Sequence, residues 1–265
     1  MIAGNLTISN VQVKRAGRII LDIENLQINA GDFTGIIGTN GAGKTTLLKI
    51  CCGLIKTRRG LIEFDDIDFT HLSTWAKSNL RKHIGYIPQS VKYNPDLPFT
   101  LREVVSMGRT STKPLITRLS GDDYEVVDTW IDKLGLAEHR NQTFRTLSGG
   151  EQQKALIARA MAQNPRILML DEPCSNLDLN WKYQITEIIE KLYEMTKITV
   201  LMVSHETSLL PACCHRAVLL HKGKLIADGS MDQVLESTAF ERAYGCRIET
   251  LNIGGRKYTI NKNLK

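Results

Sequence analysis

The sequence predicts an α/β domain with an N-terminal antiparallel β region and an inserted α-helical subdomain. Three observations carry this expectation. Strand-like and helix-like periodicities alternate at both ends of the chain, a mostly helical block separates them, and a glycine-rich loop joins an apolar strand to a helix. A length of 265 residues is enough for one large domain with a sizeable core. The chain is 42% hydrophobic and 23% charged, which excludes a disordered or fibrous chain. No apolar run approaches the roughly 18 residues of a membrane span. The first residues carry neither a charged leader nor a long apolar stretch, so no secretory signal is expected.

Taken in order, Leu6 to Ile8, Ile19 to Ile23 and Phe33 to Ile37 read as strands, with turns at Ala16-Gly17 and Ala30-Gly31. A helix is expected over Lys44 to Cys52, closed by Gly53. Val126, Val127, Trp130, Ile131 and Leu134 recur at helical spacing within Asp122 to Leu134. A helix after Ser148 stops at Asn164-Pro165, and the short apolar strand Ile167 to Leu170 follows. Asn180 to Thr196 reads as helix and Thr199 to Ser204 as strand, before a strand pair, Arg216 to Leu220 and Lys224 to Ala227, that turns at Lys222-Gly223. The expected organisation is one domain over 1–265. Its core with the β region spans 1–89 and 158–240, the helical subdomain 90–157, and a basic C-terminal tail 241–265.

Six cysteines, at 51, 52, 174, 213, 214 and 246, show neither C-x-x-C pairs nor the spacing of a disulfide framework. They read as the reduced thiols of a cytoplasmic protein.

Chemistry concentrates at Gly38-Thr39-Asn40-Gly41-Ala42-Gly43-Lys44-Thr45, which matches G-x-x-x-x-G-K-[ST]. Glycines let successive backbone N–H groups curl around phosphate oxygens, and the helix N-terminus adds positive dipole. Lys44 would reach the β- and γ-phosphates, Thr45 would ligate Mg²⁺, and Thr46 follows on the first turn. A dinucleotide fingerprint fails because Thr46 stands where a third glycine is needed. Ile167-Leu168-Met169-Leu170-Asp171-Glu172 reads as a buried parallel strand that delivers two carboxylates to the same edge. Asp171 would hold Mg²⁺ and Glu172 would orient the attacking water. Ser148-Gly149-Gly150-Glu151 is a capping box, with two glycines clearing a helix N-terminus for an anion.

With these motifs in order, the chain resembles the ATP-binding subunit of ABC transporters from about residue 5 to about residue 240. The fold implied is a P-loop NTPase with a RecA-like core. Gln89, in Gly85-Tyr86-Ile87-Pro88-Gln89, stands at the family's Q-loop. Leu147 to Gln152 match its signature, Ser175-Asn176-Leu177-Asp178 its D-loop, and Val203-Ser204-His205 its switch. By resemblance Gln89 contacts Mg²⁺ and the attacking water, and His205 bonds the γ-phosphate. Two copies pack head to tail, so Ser148, Gly149, Gly150 and Glu151 of one cover ATP held by the other. Asp178 crosses that interface. ATP and Mg²⁺ are the implied cofactors.

The family's adenine-stacking aromatic has no counterpart between Met1 and Asp32. Val13 or the Arg15 guanidinium is expected to take its place, with weakened base selectivity. The 57 residues between Gln89 and Leu147 match a transporter-type helical subdomain, with no fused membrane region and no second cassette. The stretch Pro98 to Arg109, with Leu177-Asp178-Leu179 and Ala227-Asp228-Gly229, resembles importers of iron-siderophore, haem, cobalamin and related metal ions. The implied partners are a second copy, integral-membrane permease subunits docked along Gln89 to Arg109 and, indirectly, a substrate-binding protein. The implied location is the cytoplasmic face of a prokaryotic cell membrane. An importer of another solute, a P-loop phosphotransferase and a non-transport ABC module acting on nucleic acid are the alternatives. Nucleic acid is not required by the formal charge of +6, because Arg247 to Lys265 carries five basic residues against one acidic. That tail is expected to be a solvated ending that touches anionic lipid or a second copy.

Overall fold

Strands from both ends of the chain meet in one ten-stranded sheet in this computed structural model, which describes residues 1–89, 98–114 and 116–262. The N-terminal strands are β1 (Leu6–Arg15), β2 (Arg18–Ile28) and β3 (Phe33–Gly38), followed by helix α1 (Lys44–Cys51). Next come β4 (Arg59–Phe64), β5 (Ile67–Asp68), α2 (Thr74–Arg81) and β6 (Ile84–Ile87). The helical subdomain contributes α3 (Leu101–Thr110), α4 (Gly121–Lys133) and α5 (Gly149–Ala162). The second half of the core holds β7 (Ile167–Asp171), α6 (Leu179–Thr196), β8 (Thr199–Val203), β9 (Arg216–His221) and β10 (Lys224–Ser230). The chain then runs through α7 (Met231–Leu235), α8 (Thr238–Tyr244), β11 (Ile248–Ile253) and β12 (Arg256–Asn261).

The sheet order is β5-β4-β1-β2-β10-β9-β3-β8-β7-β6. Strands β9, β3, β8, β7 and β6 are parallel neighbours, whereas β1 pairs antiparallel with β2 and β4. The parallel strands β3, β7 and β8 are buried along their whole length, which is why they read as continuous apolar runs rather than as alternation. Parallel alignment sends the carboxyl ends of β3, β7 and β8 to one edge, and that edge carries the site.

Two apolar clusters sit on either side of this sheet. One joins α1 and the β region through Leu21, Leu47, Ile62 and Met169. The other joins the parallel strands to α3, α4 and α5 through Val104, Trp130, Ile157 and Leu170. Helix α3 carries a capping box, Thr100 with Glu103, and α4 another, Ser120 with Asp123.

Three expectations are corrected. The boundary at 157 falls inside α5, which runs unbroken into the core because its apolar face, Ala155 to Ala162, packs on both parts. The tail is not a solvated ending. Residues 248–261 form an antiparallel hairpin of β11 and β12, anchored through Lys257 to Asp232 and through Arg256 near Glu190. Within the hairpin, Arg256 and Lys257 face acidic partners of the same chain. Lastly, β4, β5, α2 and β6 lie where no element was expected. Helix α2 buries none of its residues, so it has no apolar stripe to read. The proposed groove from Gln89 to Arg109 lies partly outside the described residues, at positions 90–97.

Candidate nucleotide site

The glycine-rich loop turns sharply at the end of β3. Gly38 takes φ +148°, and a Cβ there would lie 2.2 Å from the carbonyl oxygen of Leu220. Gly43 caps α1 with φ +104°, a left-handed conformation that L side chains rarely adopt. The first helical residue is Lys44, buried in the loop, where its Nζ donates to the carbonyl oxygens of Gly38 (2.7 Å) and Thr39 (3.1 Å). Burial lowers its pKa, opposed by the nearby Glu172 and Asp171 carboxylates. An ammonium held this way by two carbonyls can exchange them for phosphate oxygens, a stronger charge-assisted pairing.

Asp171 ends β7 in the register that pairs it with Val203 of β8, and it is 1% exposed. Thr45 Oγ1 donates to its Oδ1 at 2.9 Å, and the Tyr86 hydroxyl donates to its Oδ2 at 3.2 Å. Burial raises its pKa despite these two bonds, with Glu172 adding to the rise. The same burial, reinforced by Asp171, raises the pKa of Tyr86, which keeps that hydroxyl a donor. Among the described residues no cation forms an ion pair with Asp171, so a buried anion stands beside a hydroxyl oxygen. Those are hard oxygen donors, and they suit Mg²⁺.

Glu172 follows with φ +50°, a strained backbone for a non-glycine residue costing about 1 kcal/mol or more. The turn lifts its side chain off the sheet edge. Gln89 Nε2 donates to its Oε2 at 2.7 Å, and His205 Nδ1 lies 3.5 Å from the same oxygen. Three candidates from separate strand ends therefore meet on one carboxylate. An open cavity of about 640 Å³ faces them, lined by Asn40 to Thr46 together with Gln89, Glu172, Asn176 and His205.

Other candidates lie elsewhere. Ser148 caps α5, accepting from Glu151 N at 3.3 Å while its own N–H donates to Glu151 Oε2 at 2.8 Å. Gly150 is a close-approach glycine, since a Cβ there would sit 1.9 Å from the Trp181 ring. Neither Ser148, Gly149, Gly150 nor Glu151 lines the cavity. Asp178 caps α6, accepting from Trp181 N at 2.9 Å. Val13 is 2% exposed within the β-region core and Arg15 sits exposed at the hairpin end of β1, so neither lines the cavity. The β-region residue that does is Ile20. Val13 shares the buried face of β1 with Val11 and pairs with the buried Leu21, so its side chain is taken up by the β-region core.

Sequence reading also missed Tyr86, Lys182 and Glu206. Lys182 Nζ lies 2.7 Å from Glu206 Oε1, and both line the cavity. Tyr86 had a signal, three residues before Gln89; the other two had none, being 24 residues apart on separate elements.

Comparison with known proteins agrees with this geometry. The ABC transporter family pattern matches residues 21–175. The chain belongs to the ABC transporter family. It is 30% identical over 244 residues to the petrobactin import ATP-binding protein FpuC of Bacillus anthracis, covering 92% of this chain and 88% of that one. It is 31% identical over 243 residues to the hemin import ATP-binding protein HmuV of Vibrio parahaemolyticus, covering 90% of each. Among solved structures it superposes on an inward-facing ABC transporter assigned to the metal-chelate type, with a TM-score of 0.81 and 25% identity over 99% of this chain and 100% of that one. It also matches the dimeric cassette MJ0796 bound to ADP and Pi, with a TM-score of 0.74 and 29% identity over 85% and 98%. The ABC protein described here is thus an ATP-hydrolysing transporter subunit on a P-loop α/β fold. No helix among the described residues is long and apolar enough to cross a membrane.

Proposed function

We propose that this ABC ATPase drives an importer for a metal ion or metal chelate of the iron-siderophore, haem or cobalamin type. It works as a head-to-tail homodimer docked on integral-membrane permease subunits at the cytoplasmic face of a prokaryotic membrane, with a substrate-binding protein feeding the permease. One observation carries the ATPase part of this reading. Lys44, Thr45, Asp171, Glu172, Gln89 and His205, up to 161 positions apart in sequence, converge on one sheet edge. The cargo class is supported by the names of relatives, which import petrobactin and hemin.

The phosphate chain lies along Gly38 to Thr45, whose N–H groups and Lys44 take its charge. Thr45 and Asp171 would hold Mg²⁺, with Gln89 as a further ligand from the end of β6, the strand beside β7. When bound, that ion neutralises charge on the β- and γ-phosphates. Glu172 accepts a hydrogen bond from the attacking water in place of the Gln89 amide and so fixes the line of attack on the γ-phosphorus. His205 donates to a γ-phosphate oxygen from the adjoining strand end. Ser148, Gly149 and Gly150 leave the cavity of their own chain unlined, which supports completion of the site by a second copy. Ser148, Gly150 and the α5 N-terminus then face the γ-phosphate bound by the partner, with Asp178 at the same seam. Loss of the γ-phosphate by hydrolysis removes the anion common to both surfaces and releases them.

Adenine meets no aromatic ring among the described residues that line the cavity. Ile20 offers it an apolar surface at the cavity wall, and the exposed Arg15 guanidinium, outside the cavity lining of the nucleotide-free chain, swings over the base as the stacking plane when nucleotide binds. Equal ATP affinity in R15A would remove the arginine from this role. GTP is expected to be hydrolysed nearly as well as ATP, measured as kcat/KM for the two nucleotides; strong ATP preference would contradict it.

The cargo is tested on the chain purified with its permease partners in vesicles. Metal-chelate substrates presented by a binding protein should stimulate ATP hydrolysis, and stimulation by an unrelated solute alone would overturn the assignment.

A further inference from the structure

The C-terminal hairpin is too small to hold itself. A two-stranded ribbon is marginal in water, so where it is anchored states what it is attached to. Strand β12 packs on the 3₁₀ turn Thr207–Leu209, and Thr259 Oγ1 lies 3.2 Å from Thr207 Oγ1. On the other side it reaches α6. Tyr258 lies beside Tyr183, and the Arg256 guanidinium is 5.6 Å from the Tyr183 ring centroid and 3.9 Å from Glu190. The hairpin therefore ties together two pieces of chain that are separate in sequence.

Both pieces lead to His205. Thr207 is two residues beyond it. Glu206, between them, is held by Lys182, the residue before Tyr183 on α6, and its Oε1 lies 3.6 Å from His205 Nε2. The backbone is pinned further by Ser204, whose Oγ donates to the Glu206 carbonyl at 2.6 Å. His205 is thus bracketed by Glu172 at Nδ1 and by Glu206 at Nε2. The imidazole itself is 44% exposed.

We propose that the C-terminal hairpin is a clamp for the switch segment, with Arg256, Tyr258 and Thr259 acting as positioning residues for His205 through Thr207, Tyr183 and the Lys182–Glu206 pair. This rests on the reading of His205 as the γ-phosphate contact. The clamp acts on turnover and not on nucleotide capture, because the anchors of the hairpin fall on α6 and the Thr207–Leu209 turn, whereas the phosphate loop and Ile20 lie on β3, α1 and β2. Misplacement of an active-site group by about 1 Å can cost up to ~100-fold in rate.

The test is the full-length chain carrying R256A, Y258F and T259V together. Expected is a fall in kcat of about tenfold, with ATP affinity and thermal midpoint near parental values. T259S, which keeps the hydroxyl on an otherwise parental chain, should keep parental kcat. Parental kcat in the triple variant, or a parallel fall of kcat, ATP affinity and thermal midpoint, would overturn the clamp. H205A separates the two levels of the argument. If H205A itself turns over normally, the role given to His205 fails and the clamp with it. If H205A is impaired and the triple variant is not, only the clamp fails.

Discussion

Two buried aspartates, one in the helical subdomain and one at the nucleotide edge, show how the same side chain is used in opposite ways. Asp123 is 2% exposed and Asp171 is 1% exposed, so burial does not distinguish them. Their partners do. Asp123 is met by Arg109 at 2.8 Å and Lys113 at 2.9 Å and caps α4 through Ser120, and these contacts hold its carboxyl far below the usual range. Asp171 has two neutral hydroxyl donors and no ion pair among the described residues, and burial pushes its carboxyl up. Asp123 is complete within the fold. Asp171 is left short of positive charge, which is the condition for recruiting a cation from outside.

The comparison breaks first on activity. D171N should lower ATP turnover by about 100- to 1,000-fold, since it removes the anionic oxygen beside Thr45. D123N should leave turnover per folded molecule unchanged, and equal losses in the two would erase the distinction. Stability comes next and runs the other way. D123N breaks a buried, hydrogen-bonded ion cluster and should cost about 3 kcal/mol in denaturant unfolding. D171N relieves a buried charge and should stabilise the nucleotide-free chain by about 1 kcal/mol, or a few degrees in thermal midpoint.

The pH dependence has opposite signs. Asp123 has a depressed folded pKa, so its contribution is present above the unfolded value of about 3.9 and is lost as pH falls through the folded value. The gap between parent and D123N should therefore close in acid. Asp171 has a raised folded pKa, so its contribution is complete below about pH 3.9 and is lost as pH rises through the folded value. The advantage of D171N should accordingly appear at neutral pH and vanish in acid. Urea midpoints across pH 3 to 8 read both, and a D171N advantage that persists in acid would contradict the assignment.

The legibility of the molecule follows the same division between local and distant partners. The loop from Gly38 to Thr45, the strand ending in Asp171-Glu172 and the capping box of Ser148 with Glu151 are set by neighbours in sequence, and all three stand in the structure as strand, turn and cap. What sequence did not disclose depends on residues far apart. The hairpin of β11 and β12 read as a charged tail because the partners of Arg256 and Lys257, Glu190 and Asp232, are 66 and 25 positions away. Tyr86 reaches Asp171 across 85 positions and had to be seen in space. Val13 failed because its side chain lies on the core face of β1 with Val11, opposite Leu21 of β2, a placement fixed by the neighbouring strand.

The most direct test of the central claim, that Glu172 holds the attacking water at an otherwise complete nucleotide site, is single-turnover hydrolysis by E172Q beside its equilibrium ATP affinity and its oligomeric state. The neutral amide preserves shape and loses the anion. The account predicts hydrolysis slowed by at least about 100-fold, retained ATP binding and a stable ATP-bound dimer. Hydrolysis at the parental rate with no trapped dimer would contradict it.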